Sequence, residues 1–125
     1  MKFRIARHTN NLNQLKSFYI DVLGFEVLVS FENHDNYKGI FIGKPQFDWH
    51  LEFTQSNEIV EFHFNEDDAL VFYPEKISEY NQLLDTVRKH NISFIKANNP
   101  YWNENGKMIL DPDGYRIIIS NLKCR

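Results

Sequence analysis

The chain has 125 residues, 42% hydrophobic and 15% aromatic, with 14 basic against 17 acidic side chains and a net charge of −3. That is one domain's length, enough to bury roughly two-thirds of the unfolded chain's surface, and its scattered, outnumbered cations argue against nucleic-acid binding. A single cysteine excludes an intrachain disulfide, no apolar run approaches the roughly 20 residues of a membrane span, and the strand-like start Met1-Lys2-Phe3-Arg4-Ile5 has no apolar signal core, so a cytoplasmic location is expected.

Residues 2–8 alternate, with Phe3 and Ile5 on one face and Arg4, Ala6 and His8 on the other, which predicts a strand. Asn10 or Asn11 is placed to cap the helix that follows, where Leu12, Leu15, Phe18, Tyr19, Val22 and Leu23 recur at helical spacing. Gly24 sits where a glycine ends a helix. Phe25–Glu32, Gly39–Ile42 and Trp49–Phe53 read as strands, with His34–Lys38 as a turn. The first half therefore spells β-α-β-β-β. Gln55–Glu66 links it to the second half and carries Ile59-Val60-Glu61-Phe62, so part of it is expected to be ordered.

The second half repeats the pattern. Asp68–Tyr73 reads as a strand, and Pro74 and Glu75 suit the first turn of a helix whose apolar face is Ile77, Tyr80, Leu83, Leu84 and Val87. His90-Asn91 stops that helix. Ser93–Ala97 reads as a strand, Trp102–Gly106 as a loop, and Lys107–Leu110 with Tyr115–Ser120 as a closing hairpin. Its turn, Asp111-Pro112-Asp113-Gly114, combines an aspartate that can bond the backbone two residues on, a proline with preset φ and a glycine free to take positive φ. Neither half can bury its sheet alone. Pairing them puts a helix on the outer face of each sheet and leaves two inner faces to line a cleft.

The segments Asn11-Leu12-Asn13-Gln14-Leu15-Lys16-Ser17-Phe18-Tyr19, Val22-Leu23-Gly24-Phe25, His50-Leu51-Glu52-Phe53-Thr54 and Leu110-Asp111-Pro112-Asp113-Gly114-Tyr115-Arg116 resemble the vicinal oxygen chelate (VOC) superfamily, which includes glyoxalase I, bleomycin-binding proteins, fosfomycin-inactivating thiol transferases and extradiol dioxygenases. The resemblance implies an α+β fold of two paired βαβββ modules with a central cleft. One such domain would span 1–125, with module one over about 1–55, a linker over 56–66 and module two over 67–121. Members commonly pair as homodimers. The superfamily runs many chemistries on one scaffold, so fold alone does not give the reaction.

Metal-dependent members take carboxylate and imidazole ligands from four strand positions, which the resemblance places on Arg4, Glu52, Leu70 (or Asp68) and Ile118. Arginine has no lone pair to donate and isoleucine has no donor atom. No metal cofactor is therefore expected, and Arg4 and Glu52 are expected to form an ion pair in its place. An alternative metal set is His8, His50 and Glu52, since His50 and Glu52 share a strand face and His8 lies on the face of Arg4.

The expected ligand-binding residues are Arg4, His8, Tyr37, His50, Glu52, Trp102 and Ile118. Arg4 would recognise an anionic group, while Tyr37 and Trp102 would supply apolar contact, Trp102 as a lid. His34-Asp35-Asn36-Tyr37 has the composition of a turn, although Tyr37 can point to the cleft mouth. His63 and His90 read as surface or helix-end residues, and Cys124 as unreactive tail. The expected function is binding of a small organic partner molecule, with no nucleic acid and no membrane. The competing readings are a metal-dependent lyase, dioxygenase or thiol transferase, and a partner-binding domain with a filled cleft.

Overall fold

In a computed structural model, residues 1–123 are described; Cys124 lies outside them. The elements follow in the order β1 (Phe3–His8), α1 (Leu12–Ser17) continuing into a π-helical turn (Phe18–Val22), β2 (Glu26–His34), β3 (Tyr37–Gly43), β4 (Trp49–Gln55), β5 (Ala69–Phe72), α2 (Ile77–Lys89), α3 (Pro100–Asn105), β6 (Gly106–Leu110) and β7 (Arg116–Ser120). Two compact units divide the chain, Met1–Phe62 and His63–Arg125.

The first unit carries a four-stranded sheet in the order β1-β4-β3-β2. β1 and β4 are parallel, with Arg4 opposite His50 and Ala6 opposite Glu52; β3 runs antiparallel to β4, with Phe41 opposite Glu52. Alternation then sorts the side chains. Ile40, Ile42, Leu51 and Phe53 are buried, as are Leu12, Leu15, Phe18, Tyr19, Val22 and Leu23 of the helical segment. The Tyr19 and Phe53 rings, 4.8 Å apart, join helix to sheet. Phe3 is the exception on this strand, being 60% exposed where an apolar face was expected.

Asn11 is the helix cap: its side chain accepts from the Gln14 N–H at 3.0 Å. Asn10 does something else. Its amide donates to the Val60 carbonyl at 2.7 Å and accepts from the Val60 N–H at 2.9 Å, tying down part of the segment after β4. Gln55 accepts from Leu12 N–H and donates to the Asn10 carbonyl, each at 2.9 Å. The π-helical turn that ends the helix has no signature in the apolar spacing. Gly24 closes it with φ +79°. The β2–β3 strands run further than the sequence suggests: His34 pairs with Tyr37, and only Asp35-Asn36 forms the tip, with φ of +51° and +69°, the signs a two-residue hairpin turn requires.

The second unit carries a three-stranded sheet in the order β5-β7-β6. Here four expectations are corrected. Ser93–Ala97 is not a strand; only Ile95 bridges to Met108, and Asn103 occupies the place of a further ladder by donating to the Ala97 carbonyl (2.9 Å) and accepting from its N–H (2.8 Å). The Trp102–Gly106 segment is not a loop, because Asn99 caps the short helix α3 with Pro100 in its first turn. Pro74 and Glu75 precede α2 rather than opening it, and Ile77 is 64% exposed rather than part of the buried face. Tyr80, Leu84 and Val87 are buried on that helix, and Asn91, with φ +56°, ends it.

The closing turn follows its sequence logic. The Asp111 carboxylate accepts from Asp113 N–H at 2.9 Å and Tyr115 N–H at 3.0 Å, Gly114 N–H reaches the Asp111 carbonyl at 2.9 Å, and Gly114 has φ +86°. Ile117, Ile118 and Ile119 are all buried, so β7 is covered on both faces.

Candidate functional site

The polar face of the first unit's sheet gathers Arg4, Phe41, His50 and Glu52. Register explains the meeting: Arg4 lies across from His50, and Phe41 lies across from Glu52 on the other side of β4. The Arg4 Nε–H donates to His50 Nε2 at 2.8 Å, and a terminal N–H of Arg4 reaches the Glu52 Oε1 at 3.4 Å. The guanidinium carbon sits 4.1 Å from the centre of the Phe41 ring, and the His50 ring lies tilted against the same ring at 5.1 Å. Arg4 is thus fixed by two hydrogen bonds and a cation–π contact. Its side chain is 44% exposed and that of Glu52 only 16%, so the pair is presented to solvent from its arginine side.

His8 is held elsewhere on the face. It stands opposite Thr54, four positions along the strand from the Arg4–His50 pair, a separation of about 13 Å at the strand rise. Its Nδ1 lies 2.9 Å from the Thr54 hydroxyl and its Nε2 lies 3.2 Å from the Ser56 hydroxyl. Tyr37 packs edge-on against the His8 ring at 5.8 Å. The structure therefore separates the expected residues into Arg4 with His50 and Glu52, and His8 with Tyr37. It does not bring His8, His50 and Glu52 together, and among the described residues no three His, Cys, Asp or Glu side chains cluster as metal ligands would.

Phe41 and Thr54 are site residues the sequence reading missed. The signal was there for both: Ile40 and Ile42 flank Phe41, so alternation puts Phe41 on the opposite face, shared with Glu52.

The remaining expected residues lie in the second unit. Ile118, 2% exposed, forms a buried cluster with Ala97 and Met108, against which Ala69, Val71 and Trp102 pack. Above this cluster is a hollow of about 70 Å³ whose lining also includes the exposed residues Glu66, Asp67, Asn98 and Asn99. Trp102 lies at its side, with Tyr101 against it at 4.9 Å between ring centres.

Two sheet modules with few helices, in this strand order, define a protein of the glyoxalase, fosfomycin-resistance and bleomycin-resistance fold, the VOC superfamily. Within it the match is closer. Residues 3–54 match a YycE-like N-terminal domain and residues 67–121 a YycE-like C-terminal domain, and the chain belongs to this YycE-like family. It is 35% identical over 126 residues to the uncharacterised protein YycE of Bacillus subtilis, spanning 98% of this chain and 88% of that protein. A crystal structure of a Bacillus subtilis YycE protein of unknown function superposes with a TM-score of 0.87 at 34% identity, over 99% of this chain and 91% of that one. The trypanothione-dependent glyoxalase I of Leishmania major shares the fold, with a TM-score of 0.73 at 22% identity over 94% of this chain and 84% of that one.

Two of the four positions that the resemblance gives to metal ligands carry side chains with no donor atom for a divalent metal. Of these, Arg4 presents a cation bonded to Glu52 and His50 and Ile118 a buried hydrocarbon, whereas Glu52, and Asp68 if the third position falls there rather than on Leu70, carry carboxylates.

Proposed function

We propose that this protein binds a small organic ligand without a metal, and that Arg4 is its principal polar contact in the first unit. The observation that supports this is the fixed guanidinium. Two of its five N–H donors are spent on His50 and Glu52. The others remain for an acceptor such as a carboxylate, phosphonate or carbonyl oxygen, and Phe41 and His50 offer ring surface beside them. Preorganisation matters because the ordering of a flexible arginine is then not charged against binding. His8, Tyr37, His50 and Glu52 in the first unit and, separately, Trp102 and Ile118 in the second are the other residues proposed to contact ligand. The protein is proposed to act as a homodimer in the cytoplasm; for the described residues, no helix is long and apolar enough to cross a membrane.

Metal content of untagged protein, with thermal shift against added metals and a ligand panel, tests the reading. A stabilising shift with an organic anion, lost in Arg4→Ala, is expected. One nickel, zinc, manganese or iron ion per chain that raises the melting temperature would overturn it.

A further inference from the structure

We infer that the hollow in the second unit is a subsite for an organic cation, specifically a primary alkylammonium group with a short apolar chain. The inference deepens the proposed function in taking Trp102 and Ile118 as ligand contacts, and it adds the charge and shape of what they contact. Three features of the hollow agree. Its deep part is hydrocarbon: Ala97, Met108 and Ile118 are each 5% exposed or less. Its exposed edge carries two carboxylates, Glu66 and Asp67, and none of the residues lining it is basic. Trp102, packed on the same apolar cluster, provides an aromatic face to which a cation is attracted.

The acceptors suit an ammonium group. Asp67 takes one hydrogen bond from the Asn98 amide at 3.1 Å, which fixes both side chains and leaves the Asn98 carbonyl oxygen as an acceptor beside the carboxylate. Glu66 makes no ion pair among the described residues. Three acceptor groups, Glu66, Asp67 and Asn98, match the three N–H donors of an alkylammonium. An anion would face two carboxylates, and a neutral apolar group would leave them unused.

Size sets the chain length. A cavity of about 70 Å³ is about five times the room one water needs. A ligand head of roughly five heavy atoms fits, which is n-butylammonium. The carboxylates are exposed, so binding is expected to be weak and to fall with salt.

The two tryptophans give the experiment its internal control, because Trp102 lies at the hollow and Trp49 lies in the other unit. In a ¹⁵N-labelled sample, n-butylammonium is expected to shift the Trp102 indole N–H signal saturably while that of Trp49 stays still. Butan-1-ol, which keeps the chain and loses the charge, is expected to bind at least about tenfold more weakly, as is n-butylammonium to the Glu66→Gln/Asp67→Asn variant, given the strength of charge-assisted hydrogen bonds. Equal binding of the alcohol, unchanged affinity in the variant, or linear shifts common to both indoles would each overturn the inference. Such a failure would leave the Arg4 reading standing, because that reading is judged by metal content and by response to anions.

Discussion

Reversing the charge at Arg4 is the sharpest perturbation of the first unit's polar face. The Arg4–Glu52 contact is 3.4 Å, with the two side chains 44% and 16% exposed. Exposed pairs contribute about 0.2–1 kcal/mol, and the partial burial of Glu52 puts this one toward the top of that range. The Phe41 contact adds about 0.5–1 kcal/mol. Arg4→Glu removes both and sets a second carboxylate beside Glu52, so a cost of about 2 kcal/mol is expected. That corresponds to a fall of about 6–10 °C in melting temperature for a domain of this size. Glu52→Arg sets two guanidiniums together and is expected to cost about the same. Without coupling, the double variant would lose about 4 kcal/mol. With the pair restored in the opposite sense it is expected to lose only about 2 kcal/mol, because a glutamate at position 4 cannot replace the cation over Phe41. Urea denaturation of the four proteins supplies the cycle. A double variant equal to the sum of the singles, or single variants as stable as the parent, would refute the reasoning.

Gly106→Ala is expected to destabilise by about 3 kcal/mol, since a Cβ there would lie 2.5 Å from the Ile119 carbonyl oxygen across the β6–β7 ladder; equal thermal stability would show that the strands separate without cost. Asn103→Ala should cost about 2 kcal/mol by leaving the N–H and carbonyl of buried Ala97 unpaired, with faster amide exchange at Ala97 as the local readout. Asp111→Ala should cost about 2–3 kcal/mol, because two turn N–H groups lose a charged acceptor; chemical denaturation measures it. Burial pushes the Tyr80 phenol above its ordinary 10.0, an effect the Arg88 charge partly offsets. An acid whose folded value is raised gives stability that is complete below the unfolded value and is lost as pH rises through the folded one. Tyr80→Phe should therefore flatten the loss of stability above about pH 10, and an unaltered alkaline profile would exclude Tyr80 as its source.

The fold was legible where local chemistry and global packing agree. The six apolar residues Leu12 to Leu23 recur at helical spacing and are all buried, and Asp111, Gly114 and Asn91 perform the turn roles their side chains allow. The misses share a cause. Ser93–Ala97 has strand composition, yet Asn103 satisfies the Ala97 backbone from α3, and a side chain six residues away cannot be weighed by propensity. Ile77 sits at an apolar position of α2 in one dimension, but the buried stripe Tyr80, Leu84 and Val87 follows a narrower arc. The π-helical turn was invisible because it changes the hydrogen bonding of Phe18–Val22, with Leu23 N–H reaching back to the Phe18 carbonyl, while leaving the apolar residues buried.

The candidate site was half legible for a related reason. Strand alternation and the family's spacing were enough to put Arg4, His50 and Glu52 on one face, and β1–β4 register then brings them into contact. Spacing could not give the register that sets His8 opposite Thr54 rather than His50, in a separate cluster with Thr54, Ser56 and Tyr37. It also could not give the orientation of the Arg4 side chain, which matters more for function. An arginine at a family metal position is compatible with a collapsed, internally neutralised pair or with an open recognition group. The contacts of Arg4 favour the second, the reading proposed above. The guanidinium carbon lies 4.1 Å from the Phe41 ring centre, His50 takes the Nε–H, and Glu52 engages a single terminal nitrogen at 3.4 Å rather than both in a bidentate grip. A fully engaged pair would leave little for a ligand. This one retains unengaged donors and a partly exposed face, which is what the recognition role proposed for Arg4 requires.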